Sequence, residues 1–536
     1  MLHDLRLMAH ADGITVGLAW VVTLLWLAVR GIPWWLRSPV ERWLLPGIFA
    51  VALLLRAALP WGPLNFVDGE RLEGLWGLSR TLPETFLSVP LLLSALRAVG
   101  VGAAALLRWA GPVIGACAVL ATYLAARGLG LRRGGALLAA AVVCAWPAHL
   151  HYSSALSFSV EGMVFWLGAF ALAAEGGAGA PWRPAALAAL TVLGVYARPE
   201  YRLLVVPLAA LVLGPGWTWK QRGVLAALLA VGLAPYLRYL IPDEGSIQRS
   251  GHSAGFVPHT LTDASMTPVW WLYAAPLGLL VPTRVRWNAR LALSLSVALL
   301  GLSYWVMASE ANPRWGQWRY YVALVPAIAL AAACFGEWLT GLAPEGRARQ
   351  GASWLLVAIA LAPLPFYLPM LRRPEDLSVE FAYLRSSAPR VLGARRDVLI
   401  LANRGHQGLS SIAIEGNPSM ALATAFGPIA WPYACDRASG GALAVRDLER
   451  VVAQCPETID PARTLVYLGL SREEPRLAGL RARFELVPVE EVERSVALTS
   501  TMISRQCPGD PTGFTLDGPW GPPCRVRLGW YRLAPR

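Results

Sequence analysis

The sequence predicts an all-α polytopic membrane bundle followed by a small α/β extracytoplasmic domain. Three observations support this fold class. Of the 536 residues, 56% are hydrophobic and only 15% are charged, whereas a soluble domain has about one quarter charged residues. About twelve apolar stretches, each long enough to cross a bilayer as a helix, follow one another up to about residue 370. Beyond them the composition is that of an ordinary globular domain.

The basic residues indicate how the bundle is oriented. The first apolar stretch, ITVGLAWVVTLLWLAV, is followed by Trp34, Trp35 and Arg37 instead of a small-residue cleavage site, so we interpret it as a retained helix. The loops RGIPWWLRSPVER, RGLGLRRGG, GWTWKQRG, TRVRWNAR and EGRARQG fall on one side, and each contains at least two Arg or Lys residues. The positive-inside rule predicts that this side is cytoplasmic. The net charge of +13 is dispersed among such loops without a basic stripe, which argues against nucleic acid as a partner.

The chain divides into two predicted domains, a transmembrane domain over residues 1–372 and an extracytoplasmic domain over residues 373–536. In the second domain the segments RDVLILAN, ARTLVYLGL and CRVRLGWYRL are typical of short strands, and GALAVRDLERVVAQ is typical of a helix. A domain of roughly 160 residues is long enough to have its own core. We therefore expect a small α/β unit after the bundle.

Four cysteines, Cys435, Cys455, Cys507 and Cys524, are confined to this second domain. An even set in one domain suggests disulfides and therefore an oxidising compartment. Zinc is the competing interpretation, but no Cys-x2-Cys pair is present. Pairing of Cys435 with Cys455 and of Cys507 with Cys524 would close the shorter loops, although four cysteines allow three connectivities.

The first predicted outer loop contains the segment NFVDGERLE directly after an apolar run. Asp68 and Glu70 lie there at a junction between loop and helix. Asp68 can act as the N-cap of that helix, with Glu70 in a first turn whose dipole favours acids. A carboxylate at this position can also act as a general base, and the two roles are compatible.

Three further ionisable residues are predicted near the same outer surface. In VYARPEYRLLVVP, Arg198 and Glu200 interrupt an apolar run at a proline. They either bind a ligand or form the tip of a hairpin in which they pair with each other or extend to the interface. Glu161 lies at the mouth of an otherwise apolar helix, where an ionisable group is costly and usually functional.

The segment RWGQWRYYVALVP adds a second arginine cluster. Arg314 and Arg319 lie among aromatic residues that include Tyr320. The cluster fits either a phosphate site or an interfacial aromatic belt. All these polar clusters fall on one predicted face, which favours an enzyme with an outward-facing site over a solute carrier with charges at mid-bilayer.

The motifs VDGE, HYSSALSFSVEG, ARPE and WRYYVALVPAIALAAA, in this order, resemble those of bacterial C-type-fold (GT-C) membrane glycosyltransferases. The branch they resemble is that of the dolichyl-phosphate-mannose protein mannosyltransferases and the lipid A aminoarabinose transferases. The resemblance covers roughly residues 40 to 340. It implies a lipid-phosphate-linked sugar donor, used outside the cytoplasm, and a first-loop acid as base. Two departures are that Gly69 separates the two acids and that an additional helix precedes the loop.

Together these observations predict a glycosyltransferase of the bacterial inner membrane that moves a sugar from a polyprenyl-phosphate carrier to a lipid, glycan or protein acceptor in the periplasm. Asp68 is the preferred base and Glu70 the alternative. Arginine's planar donor fork suits the departing phosphate, which makes Arg198, Arg314 and Arg319 the phosphate-binding candidates. A divalent metal fits the carboxylates, but no ligand set requires one. The alternative is a lipid-linked glycan transporter or a structural subunit of an envelope assembly machine.

Overall fold

The structure is a computed structural model. It describes residues 2–32, 38–59, 87–154, 158–175, 180–236, 269–307, 322–372, 376–393, 395, 398–402, 444–469, 477–496 and 524–536.

Helices make up most of the described chain. The first group comprises α1 (Leu2–Trp26), α2 (Pro39–Ala57), α3 (Ser88–Ala98), α4 (Ala103–Gly128), α5 (Arg133–Ala145), α6 (Pro147–Ser154), α7 (Phe158–Ala174), α8 (Arg183–Ala197), α9 (Val205–Val212) and α10 (Trp219–Leu233). The second comprises α11 (Val269–Leu280), α12 (Trp287–Met307), α13 (Val325–Gly341), α14 (Arg347–Leu361), α15 (Leu364–Leu371) and α16 (Asp376–Leu392). Short 3-10 turns at Pro199–Leu204 and Val322–Leu324 precede α9 and α13.

Several of these helices are suited to a bilayer. Four spans are long and apolar enough to cross a membrane: Ala11–Val29, Arg108–Gly128, Val322–Gly341 and Arg347–Pro369. The pair α5 and α6, bent by 63° at the break before Pro147, makes a fifth if it is one span. Five further apolar helices are shorter. The chain is therefore a helical membrane protein, while the predicted count of about twelve spans is not confirmed among the described residues.

Helix α1 is the helix that departs from the family pattern by preceding the first outer loop, and it is packed into the bundle. The Tyr196 hydroxyl of α8 donates a hydrogen bond of 2.7 Å to Asp12 Oδ1 of α1, and both residues are buried. Further along α1, the ring of Trp20 meets that of Phe165 edge to face, with centroids 5.3 Å apart. Trp20 Nε1 also donates to the Ser88 carbonyl at 2.7 Å. The first helix is thus part of the core that positions α7 and α8.

The two ends of the bundle carry different groups. At one end, which we call the basic end, Glu41 of α2 lies 3.5 Å from Arg127 and 3.9 Å from Arg133. The Arg132 backbone N–H donates to Glu337 at 2.7 Å in the same region. About 22 Å further along α2 at 1.5 Å per residue, Arg56 reaches the second end, which we call the Arg56 end. Which end faces the cytoplasm stays a prediction.

The C-terminal residues form a five-stranded mixed sheet of β1 (Leu399–Ala402), β2 (Ala444–Asp447), β3 (Thr464–Leu468), β4 (Phe484–Val496) and β5 (Cys524–Pro535). The strand order is β2-β1-β3-β5-β4, with β1 parallel to both of its neighbours and β5 antiparallel to both of its own. The three predicted strand segments are confirmed as β1, β3 and β5. The segment predicted as one helix is wrong in its first half, because residues 444–447 pair with β1 and only Leu448–Gln454 is helical.

Side chains alternate across β5 between two layers, as expected for a strand covered on both faces. Trp530 packs toward α16, where its Nε1 donates to Ser387 Oγ at 2.8 Å. Tyr531 and Leu533 pack on the opposite face, in a core that also contains Val466 and Cys455. The predicted α/β character of this region is confirmed, while the domain boundary at residues 372–373 stays a prediction.

Candidate functional site

Many of the predicted site residues lie outside the described residues. These are Asp68, Glu70, Arg314, Arg319, Tyr320, Cys435 and Cys507, together with the side chains of Glu200 and Cys524. Their roles therefore stay predictions. Glu161, Arg198 and Cys455 are described with their surroundings.

The structure brings Glu161 and Arg198 to neighbouring helix ends. Glu161 lies in the first turn of α7 and is 1% exposed. Arg198 directly follows α8 in an extended conformation and is also buried. The 3-10 turn after Arg198 folds back over α7, because the ring of Tyr201 occupies the space that a Cβ on Gly162 would fill. Both residues are thus inside the protein, which argues against an interfacial hairpin tip for Arg198.

A second buried cation, Arg56, was not singled out by sequence reasoning. It lies in the last turn of α2 and is 0% exposed. Its guanidinium donates to Ser153 Oγ at 2.6 Å through Nε and to the Ala52 carbonyl at 2.8 Å through Nη1, and its Nη2 lies 2.7 Å from His149 Nδ1. A Cβ on Gly115 would overlap Ser153 and the guanidinium, so glycine there permits the close approach of α4.

The chemistry of Arg56 determines the tautomer of His149. Arginine can only donate, so Nδ1 of His149 accepts and the ring is neutral with its proton on Nε2. His149 is 0% exposed, and its Nε2 has no hydrogen-bond partner among the described residues. A buried donor without an acceptor costs roughly 1–3 kcal/mol. The Nε2–H group is therefore available to a ligand oxygen.

Arg56 also has unused capacity. Its contacts with Ser153, Ala52 and His149, together with a hydrogen bond to the neutral Cys144 thiol, engage at most four of the roughly five N–H donors of a guanidinium. In the part of the chain that the structure describes, no carboxylate forms an ion pair with it. A fully buried charge is stable only with a counter-charge and satisfied hydrogen bonds. The arrangement of Arg56 and His149 therefore fits an anionic ligand.

An apolar cavity of 830 Å³ lies within the bundle and extends to Glu161. It is lined by α1, α2, α3, α4 and α7, and almost all lining residues are apolar. Among the described residues that line it, Glu161 is the one acid. An apolar chain attached to a polar head would fit such a cavity, with the head near Glu161.

The described residues contain no group of three or more metal-ligating side chains. Cys117, Cys144 and Cys334 are free thiols in the helical bundle. Cys455 is buried in the core on the Tyr531 face of the sheet and is not a free thiol. Among the cysteines whose side chains the structure describes, no two are joined by a disulfide. The two predicted disulfides stay predictions.

Comparisons with known proteins identify the fold. The chain is similar to ArnT from Cupriavidus metallidurans in the apo state, with a TM-score of 0.52, 13% sequence identity and coverage of 84% of this chain and 97% of that one. It is also similar to the arabinofuranosyltransferase AftD from Mycobacteria, with a TM-score of 0.50, 15% identity and coverage of 92% of this chain and 40% of AftD. The C. metallidurans ArnT bound to undecaprenyl phosphate aligns with a TM-score of 0.49 and 11% identity. No protein-family model and no curated protein matches the sequence.

ArnT and AftD are both GT-C-fold glycosyltransferases. The chain described here has the same GT-C fold. The resemblance seen in the short motifs is confirmed at this level.

Proposed function

We propose that this protein is an integral membrane glycosyltransferase that transfers a sugar from a polyprenyl-phosphate-linked donor to a lipid, glycan or protein acceptor. The observation that carries the proposal is the Arg56–His149 pair, a buried cation and a buried N–H donor that lack an anionic partner among the described residues. The GT-C fold and the apolar cavity support it.

The donor fits these features in two parts. Its lipid chain occupies the apolar cavity, where burial of each CH₂ group contributes about 0.8 kcal/mol. Its phosphate accepts hydrogen bonds from Arg56 and from His149 Nε2–H, with Arg198 and the predicted Arg314 and Arg319 as further donors. Charge-assisted bonds in a buried site are stronger than in water, so they favour the phosphate as it gains charge.

The reaction breaks the bond between the sugar anomeric carbon and the phosphate oxygen. The phosphate departs with the electron pair, and the acceptor hydroxyl oxygen forms the new bond to the anomeric carbon. Asp68 removes the hydroxyl proton as general base, with Glu70 as alternative base or orienting group. Attack on the face opposite the phosphate inverts the anomeric configuration. Glu161 positions donor or acceptor, as do Glu200 and Tyr320, and the scheme requires no metal.

A single-turnover assay tests this function. Purified protein in detergent is incubated with a panel of polyprenyl-phosphate sugars and acceptor lipids, and release of polyprenyl phosphate is measured together with sugar transfer. We expect both products in equal amounts from at least one donor, with and without chelator. A protein that moves the intact donor across vesicle membranes without cleaving it would be a transporter, and the proposal would be wrong.

We further propose that the Arg56 end and residues 373–536 face the periplasm of the inner membrane. The basic loops support this orientation, because positive charge is retained on the cytoplasmic side. A reporter that is active only in the cytoplasm, fused after Arg536, should be silent.

Peptide mass mapping without reduction should find Cys435 joined to Cys455 and Cys507 joined to Cys524. Four free thiols would contradict the periplasmic placement.

A further inference from the structure

A second cavity, of 810 Å³, lies at the basic end of the bundle, and we call it the basic cavity. Four arginines and two glutamates are its charged lining residues: Arg127, Arg183, Arg284, Arg286, Glu41 and Glu175. Nothing in the proposed reaction uses these groups, because Arg56 lies at the other end of α2. The excess of arginines makes the cavity attractive to anions.

Two of the arginines are committed to the fold. Arg183 donates to the carbonyls of Leu172, Ala173 and Gly216 and stacks on the Trp217 ring at 4.0 Å. Arg127 donates to the Leu131 carbonyl at 2.7 Å and lies beside Glu41. These two side chains hold the cavity walls together.

Arg284 and Arg286 are different. Both are exposed, and within the described chain neither guanidinium forms a hydrogen bond or an ion pair. They are two residues apart in the loop between α11 and α12, at the rim of the cavity. The charge of Arg284 also acts on the Glu337 carboxylate, but the N–H donors of both guanidinium groups are not used by any described residue. Two such groups at one rim suit a phosphate, which they can bind through paired N–H donors.

The basic cavity is continuous with apolar surface. Five of its lining residues also line the apolar cavity: Trp26, Leu45, Leu124, Gly168 and Ala171. A basic rim joined to an apolar interior has the polarity of an anionic lipid, with its head at the rim and its chains inside. A small water-soluble anion would use only the rim.

Exposed tryptophans place this rim at a membrane interface. Trp287, which directly follows Arg286, is 71% exposed, and Trp219 is 79% exposed with Arg222 stacked 4.5 Å above its ring. Tryptophan is enriched at the level of the lipid headgroups. The rim arginines therefore lie where phospholipid phosphates are concentrated.

We infer that the basic cavity binds the headgroup of an anionic bilayer phospholipid, with Arg284 and Arg286 as the phosphate ligands and the adjoining apolar wall receiving an acyl chain. Basic pockets between transmembrane helices are suited to such headgroups. The occupant is a lipid of the leaflet at the basic end and is distinct from the sugar donor used at the Arg56 end. Its phosphate ligands take no part in the proposed reaction, while its acyl chain would lie beside the apolar cavity proposed for the lipid chain of the sugar donor.

A binding titration on the full-length protein in neutral detergent tests the inference. Three probes separate the sources of the phosphate: short-chain phosphatidylglycerol, short-chain phosphatidylcholine and water-soluble glycerol phosphate. We expect saturable binding of phosphatidylglycerol and at least tenfold weaker binding of the other two. Arg284→Gln with Arg286→Gln should weaken phosphatidylglycerol binding roughly 25-fold, because each arginine near the surface contributes about fivefold.

The matched control is Arg347→Gln. Arg347 is an exposed arginine at the start of α14, outside the basic cavity, so its replacement removes one positive charge, as Arg284→Gln or Arg286→Gln alone does, but should leave binding unchanged where each of those weakens it about fivefold. Both Arg284 and Arg286 are exposed, so their replacement should preserve the fold, which the melting temperature of each variant checks. Equal weakening by Arg347→Gln would show diffuse charge attraction and overturn the site. Glycerol phosphate bound as tightly as phosphatidylglycerol would indicate a soluble anion and overturn the lipid assignment.

Discussion

The two ends of the bundle differ in how the charges of their arginines are balanced. At the basic end, Arg127 and Arg133 lie beside Glu41, and Arg183 is surrounded by carbonyl oxygens, so these cations have partners within the fold. At the Arg56 end, a fully buried guanidinium has neutral partners only among the described residues. A charge balanced by the fold serves stability, whereas a charge left unbalanced serves a ligand. The comparison therefore separates structural arginines from functional ones.

The largest expected effect concerns the loop that follows Arg56. Asp68→Asn should reduce turnover by about 10²- to 10⁴-fold, the usual contribution of a general base. Asparagine keeps the shape and remains a good N-cap, so the melting temperature should not change. The measurement is single-turnover sugar transfer, and Glu70→Gln should lose less. A dead Glu70→Gln beside an active Asp68→Asn would make Glu70 the base, and activity in both would remove the loop from the mechanism.

The second prediction addresses Arg56 itself. Arg56→Gln should reduce turnover roughly 30- to 1,000-fold, because a buried charge-assisted contact to the phosphate contributes about 2–4 kcal/mol. Without donor, the melting temperature should stay the same or rise, since the substitution removes a buried charge that has no counter-charge.

The matched control for Arg56 is Arg108→Gln at the same end. Arg108 donates to the Ala57 carbonyl at 2.7 Å and is only partly buried. Its replacement should change turnover by less than about threefold, in keeping with a surface substitution. If Arg56→Gln unfolds the protein while Arg108→Gln does not, Arg56 is structural and the contrast between the two ends fails.

Sequence reasoning found part of this site and not the rest, for a physical reason. Glu161 and Arg198 were predicted because an ionisable residue at the mouth of an apolar helix is costly and visible in one sequence window. Arg56 and His149 are 93 positions apart. Their contact depends on α2, α4 and α6 crossing at Gly115, which no local pattern encodes. The arginine that ends the run VALLLR was the available signal.

The same distinction holds for the fold. Strands β1 and β3 were predictable because a short apolar run between turn residues is a local signal. Strand β2 was missed because AVRD has no strand pattern of its own and gains its hydrogen bonds only by pairing with β1. The two cavities, likewise, are products of helix packing. Composition and periodicity thus predict the elements, whereas their crossings determine which side chains meet.

The third prediction tests the opposite end. Arg183→Gln should destabilise the protein by about 3 kcal/mol, because several charge-assisted hydrogen bonds to buried carbonyls and a stacking contact are lost. Turnover per folded molecule should not change, which is the reverse of Arg56→Gln. The measurement is the melting temperature in detergent.

Arg222→Gln is the matched control for Arg183. Arg222 also donates to backbone carbonyls, those of Val212, Leu213 and Gly214, and stacks on Trp219. Its contacts are more exposed, so water can replace them and the loss should be smaller, about 1 kcal/mol. If both variants lose the same free energy of unfolding, burial of the arginine contacts does not determine how much they stabilise the protein.

The smallest expected effect is a pH dependence at the basic end. Burial raises the pKa of Glu175 to about 7 from its ordinary 4.5, although the positive charge of Arg183 opposes the rise. Glu175 shares the basic cavity with Glu41, Arg127, Arg284 and Arg286, which are the other charges that line it. Between pH 4.5 and about 7, the folded protein therefore holds a proton that the unfolded chain has lost.

This difference in bound protons sets the direction of the effect. The free energy of unfolding should fall as pH rises through the window, and the contribution should be fully lost above about pH 8. We expect the melting temperature of the wild type to fall, relative to that of Glu175→Gln, between about pH 5 and about pH 8, because glutamine does not titrate. Glu345→Gln, at a glutamate whose side chain is 82% exposed at the same end, is the control and should track the wild type. If the difference in melting temperature between wild type and Glu175→Gln stays constant across this range, Glu175 is ionised throughout. If the melting temperature of the wild type instead rises relative to that of Glu175→Gln, the arginines of the cavity lower the pKa of Glu175 more than burial raises it.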